Sequence, residues 1–291
     1  MTNTLFYGDN LDILRRKLRD ETVDLCYIDP PFNSKRDYFQ IYNNIGKDDA
    51  AQAQAFTDTW TWNELAVSGF QEIITNLEGR YTRQTIELMK GLKAVLGDNG
   101  LLAYLISMTQ RVNEIQRVLK PTGSFYLHCD PTASHYLKLV LDSVFCAQGG
   151  DYLNEITWKR TSNHNDSKRN FSNLNDIIFL YVKSNAYLFN PQHASYSKNY
   201  IEKNFRYKDE QGRCYSSADL RSPNPRPNLT YDYKGYKPHV NGWTVSRERM
   251  EELDKQGRLI FPSSQNGRIR VKKYLDEMSG VSIQNDWGDI Q

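Results

Sequence analysis

The residues with the clearest chemical content are Asp29-Pro30-Pro31-Phe32, which follow the apolar run Leu25-Cys26-Tyr27-Ile28 directly. Val23 to Ile28 predicts a short buried strand. Because Pro30-Pro31 cannot continue a hydrogen-bonded ladder, Asp29 is placed at the strand's carboxyl end. In an open α/β sheet that is the end where ligands bind. An acid followed by two prolines can also end a strand with no chemistry attached, since Pro-Pro is ordinary loop punctuation.

Two other polar clusters invite the same question. Asp9, in Gly8-Asp9-Asn10, follows the apolar Thr4-Leu5-Phe6-Tyr7 and precedes Leu11, Ile13, Leu14 and Leu18 at helical spacing. That pattern predicts strand, turn and helix, with Asp9 at the same sheet end as Asp29; a helix N-cap accounts for the acid equally well. His128-Cys129-Asp130 brings polar groups to the end of a strand predicted over Ser124 to His128, ahead of a helix opened by Pro131-Thr132 and running to Phe145. His-x-Asp could begin a metal site, but no third or fourth ligand lies at suitable spacing, so no metal is expected. Cys26, Cys129, Cys146 and Cys214 form no C-x-x-C pair and read as reduced thiols.

The elements that must position these residues follow from periodicity. Residues 65 to 96 and 101 to 119 read as helical; in the second stretch Leu102, Leu105, Met108, Val112, Ile115, Val118 and Leu119 form one core stripe, closed by Pro121 and Gly123. Asn154 to Trp158 and Asp176 to Val182 predict two strands, joined by the polar connector Ser162 to Arg169. Residues 34 to 64 read as a long irregular loop that could fold over a pocket, touch DNA or simply be pinned by Trp60 and Trp62. A last helix is predicted from Ser246 to about Gln256, before a strand over Gly257 to Phe261.

At 291 residues the chain can hold a large α/β domain with a further module. It has no apolar run long enough to cross a membrane and no secretion signal at its start, which predicts a cytoplasmic location. The net charge of +2 conceals an asymmetry: residues 1–150 carry 15 Lys and Arg against 18 Asp and Glu, whereas 157–273 carry 22 against 11. The later part has the balance of a polyanion-binding surface. From Ser184 to Pro262, tyrosines and Trp243 alternate with lysines and arginines, and Ser222 to Pro227 is a stiff extended loop. Rings that stack on bases beside cations that neutralise phosphates suit nucleic acid; a tyrosine-rich module with solvated charges fits the same composition.

Several segments together resemble the bacterial site-specific DNA methyltransferases that modify the exocyclic amino group of adenine or cytosine. They are Phe6-Tyr7-Gly8-Asp9-Asn10-Leu11, Asp29-Pro30-Pro31-Phe32-Asn33-Ser34, Thr57 to Trp62, Leu119 to Ser124 and Leu127-His128-Cys129-Asp130-Pro131-Thr132. Trp158-Lys159-Arg160 and Lys272 to Glu277 agree, and the order of segments is similar to the permuted β class. The resemblance implies a Rossmann-like α/β sheet with an inserted or appended target-recognition region, S-adenosylmethionine as methyl donor and double-stranded DNA as substrate. The domains it implies are a catalytic part over 1–183, a recognition region over 184–262 and a return segment over 263–291.

The resemblance assigns Asp29 and Pro30 as the acceptor pair for the two N–H bonds of the target amino group, Pro31 as the residue that fixes the backbone, and Phe32 as the ring stacked on a flipped base. Asp9 and Asp29 are implied on the cofactor side. Lys35, Arg36, Lys159, Arg160, Lys168, Arg169 and Arg226 are implied as DNA contacts. Asp at the first motif position favours adenine over cytosine. The sequence departs from the family in showing neither a Pro-Thr-Gln-Lys-Pro-like motif nor the glycine-bearing Asp-Pro-Phe loop that approaches the cofactor. It is therefore expected to lack two central strands, to act as part of an enzyme with a second chain or segment supplying the cofactor loop, and to bind the cofactor weakly. An inactive DNA-binding remnant is the competing expectation.

Overall fold

The computed structural model describes residues 3–31, 37–40, 43–44, 47–48, 53–57, 60–160, 171–265 and 267–288. Phe32, Lys35, Arg36, Lys168 and Arg169 lie outside them. The chain divides into two compact units, Met1–Asn190 with Gln284–Gln291, and Pro191–Ile283.

The first unit is a mixed α/β layer. Its elements are α1 (Asn10–Lys17), β1 (Val23–Ile28), α2 (Glu64–Thr75), α3 (Arg83–Leu96), α4 (Gly100–Val118), β2 (Leu119–Cys129), α5 (Ser134–Val144), β3 (Asp151–Lys159) and β4 (Asn175–Val182). The sheet order is β1-β2-β4-β3, extended by Asp286–Trp287 beside β3. β1 runs parallel to β2, whereas β4 is antiparallel to both β2 and β3. Between β1 and α2, Asp37–Gln40 pairs with Ala53–Thr57 and Asn43–Asn44 with Lys47–Asp48, so this stretch holds short antiparallel ladders where an irregular loop was expected.

One face of the sheet carries the main core. Phe125, Leu127 and Cys129 from β2 and Phe179 and Tyr181 from β4 pack with the α4 stripe and with Leu137, Val140, Leu141 and Val144 of α5. Cys26 and Ile28 of β1 join this cluster. Side chains alternate along a strand, so Leu25 and Tyr27 point to the opposite face, where they are exposed.

Three sequence expectations are corrected. Residues 4–7 form no strand: Leu5 and Tyr7 are fully exposed, and no ladder partner lies beside them among the described residues. An isolated apolar tetrapeptide cannot satisfy its backbone without a neighbour, so the argument that Asp9 ends a sheet strand falls with it. The helical stretch 65–96 is two helices, because Asn76 adopts a left-handed conformation (φ 46°) and the side chain of Thr82 caps a new start. Pro121 and Gly123 lie within β2 rather than between helix and strand. The register explains it, since Val23 pairs with Leu119 and Leu25 with Ser124, leaving 120–123 as a bulge where a proline is tolerated.

The second unit is built on a four-stranded antiparallel sheet in the order Tyr207–Lys208, Cys214–Asp219, Arg270–Tyr274, Leu259–Ile260. The helix Arg247–Lys255, capped by Ser246, adds Met250 and Leu253 to a core with Leu220, Tyr233, Trp243, Leu259, Ile269 and Val271. Residues 263–283 thus belong to this unit, and the chain rejoins the first sheet only at 284–288.

Candidate active site

Asp29 follows β1 directly and continues its alternation, on the face of Leu25 and Tyr27. Its side chain remains 59% exposed, while Pro30 and Pro31 are half-buried. Burial first, and the Asp29 carboxylate second, push the Tyr27 phenol above its usual pKa. The neighbouring strand supplies a partner: Ile28 pairs with Leu127, which brings His128 level with Asp29, and Nδ1 of His128 lies 3.0 Å from Oδ1 of Asp29. The other ring nitrogen, Nε2, is 3.3 Å from Oδ2 of Asp176 on β4.

Asp176 is almost wholly enclosed, at 1% exposure, and His128 is buried too. The Arg160 guanidinium approaches the second Asp176 oxygen to 3.4 Å, an ion pair without hydrogen-bond alignment. Trp158, paired with Asp176 across β3 and β4, sets its ring edge-on to the imidazole at 5.4 Å between centroids. Asp29, His128, Asp176 and Trp158 are therefore one cross-strand group on the sheet face away from the helical core. An exposed carboxylate thus stands beside a buried imidazole, which in turn faces a buried second acid.

Cys129 points to the core face, and burial, followed by Asp130, Asp176 and Glu155, pushes its thiol up. Asp130 is occupied locally, accepting from the Thr132 N–H and hydroxyl at 3.0 Å each. Among the described residues no group of three or more His, Cys, Asp and Glu is placed to hold a metal ion. Likewise, no described helix is long and apolar enough to cross a membrane.

Asp9 caps α1: Oδ1 accepts from the Leu11 N–H at 2.7 Å, and Oδ2 pairs with Arg111 of α4 at 3.0 Å. Burial lowers the Arg111 pKa, with Asp9 opposing the shift. Asp9 lines a cleft of about 670 Å³ between α1, α2, α4 and Trp60, together with Arg15, Asn63, Gln110 and Arg111. The volume would admit a nucleoside, but the residues do not form a cofactor cradle. Both Asp9 oxygens are engaged, and Gly69, the glycine of the lining, serves helix packing, since a Cβ there would meet Ile106 Cγ2 at 2.9 Å. The chemistry of S-adenosylmethionine therefore cannot be routed through these residues.

The cations singled out by sequence are dispersed. Lys159 is exposed at the end of β3, Arg160 turns to Asp176, and Arg226 is exposed beside the short 3₁₀ turn Pro227–Leu229 of the second unit. Many of that unit's aromatic rings build its own interior. Tyr233 is buried and donates to Asp254, the Trp243 indole donates to the Tyr231 carbonyl, and the Tyr231 hydroxyl donates to Val245. Arg213 lies over the Tyr274 ring at 3.8 Å while its guanidinium forks onto Asp276. Tyr200, Tyr207, Lys198, Lys203, Arg206, Lys208, Arg221 and Lys237 face solvent.

Sequence reasoning missed His128 and Asp176 as companions of Asp29. The available signal was two polar residues bounding strongly apolar strands, His128 ending β2 and Asp176 opening β4.

The DNA methylase model of the N6/N4 methyltransferases matches residues 23–274. The chain belongs to that family. It is 25% identical over 297 aligned positions to the Type III restriction-modification enzyme StyLTI Mod subunit of Salmonella typhimurium, covering 99% of this chain and 41% of that protein. It is 27% identical over 191 positions to the Type II methyltransferase M.EcaI of Enterobacter cloacae, covering 65% and 41%. The EcoP15I Mod subunit of Escherichia coli is 23% identical over 316 positions, covering 94% and 45%. The chain thus spans less than half the length of these relatives.

Proposed function

We propose that this chain carries the base-binding side of an S-adenosylmethionine-dependent DNA methyltransferase that modifies the exocyclic amino group of adenine. The observation that carries the reading is Asp29: an exposed carboxylate at the end of β1, held by His128 and followed by two prolines. An aromatic amino group is a poor nucleophile because its lone pair is delocalised into the ring. The Asp29 carboxylate and the Pro30 carbonyl accept its two N–H bonds and favour the pyramidal, nucleophilic geometry; Pro31 keeps the second acceptor from turning away. Phe32 stacks on the base, which must leave the duplex for its amino group to be reached. The cofactor would contribute the electrophilic methyl group.

Double-stranded DNA meets the exposed cations of Lys159, Arg226 and the second unit, with Lys35, Arg36, Lys168 and Arg169 as further phosphate contacts and Arg160 as a shared one. The domain reading is catalysis over 1–183, target recognition over 184–262 and a return segment over 263–291, whose residues 284–288 rejoin the first sheet. Likeness to Mod subunits supports a place in a restriction-modification system.

Asp29→Ala should lower methyl transfer by about 10²-fold or more, about 3 kcal/mol, as for other preorganised hydrogen-bond partners. The assay uses the full-length protein carrying this chain, labelled cofactor and DNA digested to nucleosides for mass spectrometry. N6-methyladenine is the expected product; N4-methylcytosine would move the substrate to the other base. DNA binding in a mobility shift with no transferred methyl group would mark an inactive binding protein.

A further inference from the structure

We propose that His128 is the positioning residue for Asp29, with Asp176 as its brace. The inference rests on Asp29 being the amino-group acceptor and adds how that acceptor is aimed. Asp29 follows the last residue of a strand, and its side chain is 59% exposed, so packing alone leaves it free to sample several rotamers. A preorganised acceptor must not do so.

The imidazole supplies the constraint. Nδ1 of His128 lies 3.0 Å from Asp29 Oδ1 and Nε2 faces Asp176 Oδ2, so an imidazole carrying a proton on each nitrogen attracts both carboxylates, draws Oδ1 of Asp29 to one side and leaves Oδ2 for a ligand N–H. The ring cannot swing away, because Nε2 faces Asp176 at 3.3 Å and the Trp158 edge closes one side at 5.4 Å. The brace is itself fixed by its place in β4, where Asp176 pairs with Trp158 and Ile177 with Cys129. Arg160, 3.4 Å away, supplies a cation beside the enclosed carboxylate. The chain Asp29, His128, Asp176, Arg160 thus runs from an open carboxylate after β1, through β2 and β4, to a half-exposed guanidinium just past the end of β3.

The test separates donor geometry from bulk. In the full-length protein, His128→Asn keeps an N–H near the Nδ1 position, whereas His128→Gln places its amide near Nε2 and His128→Leu has no donor. Single-turnover methyl transfer should fall about 10²-fold in the Leu and Gln variants and recover to within about tenfold of wild type in Asn. DNA affinity and 2-aminopurine fluorescence at the target base should stay unchanged in all three. Equal rates in Asn and Gln, or losses confined to DNA affinity, would overturn the proposal.

A second measurement needs no turnover. In nitrogen-15 spectra of the imidazoles, Asp29→Ala should move the Nδ1 resonance of His128, identified by its disappearance in His128→Asn. If wild type transfers no methyl group, the proposed reaction fails while this spectrum still decides the link. An unmoved Nδ1 resonance would refute the link even in an active enzyme.

Discussion

Glu114 offers a quantitative test of how the first unit is held together. Its side chain, 2% exposed within α4, meets three guanidinium groups: Arg117 at 2.7 Å, Arg80 at 2.9 Å and Arg15 at 3.4 Å. Breaking a buried ion pair from one side costs about 3–5 kcal/mol. Here the cost falls toward the lower end, because each arginine retains a carboxylate and some solvent: Arg15 keeps Glu72, Arg80 keeps Glu78, and Arg117 keeps Asp20 and the Leu14 carbonyl. Glu114→Ala should therefore destabilise the unit by about 3 kcal/mol. With a urea slope of about 3 kcal/mol per molar, the midpoint drops by about 1 M in far-ultraviolet circular dichroism. A loss below about 1 kcal/mol would refute the reasoning and class the network with exposed ion pairs.

Glu72 predicts an acid-sensitive contribution. Burial raises its pKa, but hydrogen bonds from Tyr81, Arg15 and Gln110, with the Arg15 charge, outweigh that and leave it below the ordinary glutamate value. Its stabilisation is present in full above the unfolded value and is lost as pH falls through the folded one, so Glu72→Gln should flatten the acid limb of a stability profile below about pH 4.5. Burial pushes the Cys26 thiol up to about 11 and that of Cys129 up as well; iodoacetamide at pH 8 should label exposed Cys146 well ahead of both, read by peptide mass spectrometry. Gly100→Ala places a Cβ 2.3 Å from the Trp60 carbonyl oxygen, a backbone atom that cannot rotate away, and should cost about 1–3 kcal/mol in thermal unfolding.

Periodicity made β1, β3, β4 and the α4 stripe legible, because each buries one face or stripe and its residues repeat accordingly. The Phe6 segment has the same local pattern but no strand beside it among the described residues, and a local pattern cannot report which strands pair. Asn76 was an available break signal inside the stretch 65–96, hidden by apolar residues on both sides. The site divides along the same line. Asp29 could be placed because prolines end its strand, whereas His128 and Asp176 lie 48 residues apart and meet only through register, which no single strand encodes.

That dependence on register sets where the gene can tolerate insertions and deletions. Losing one codon between Ser124 and His128 would turn the imidazole to the helical face and put a core side chain beside Asp29. Losing one within 120–123 would fall in the bulge, where the count of residues against β1 is already unequal and the slack can be taken up locally. Two neighbouring stretches of a single strand therefore differ in how a frame-preserving lesion reads out: one is silent for the site, the other erases it.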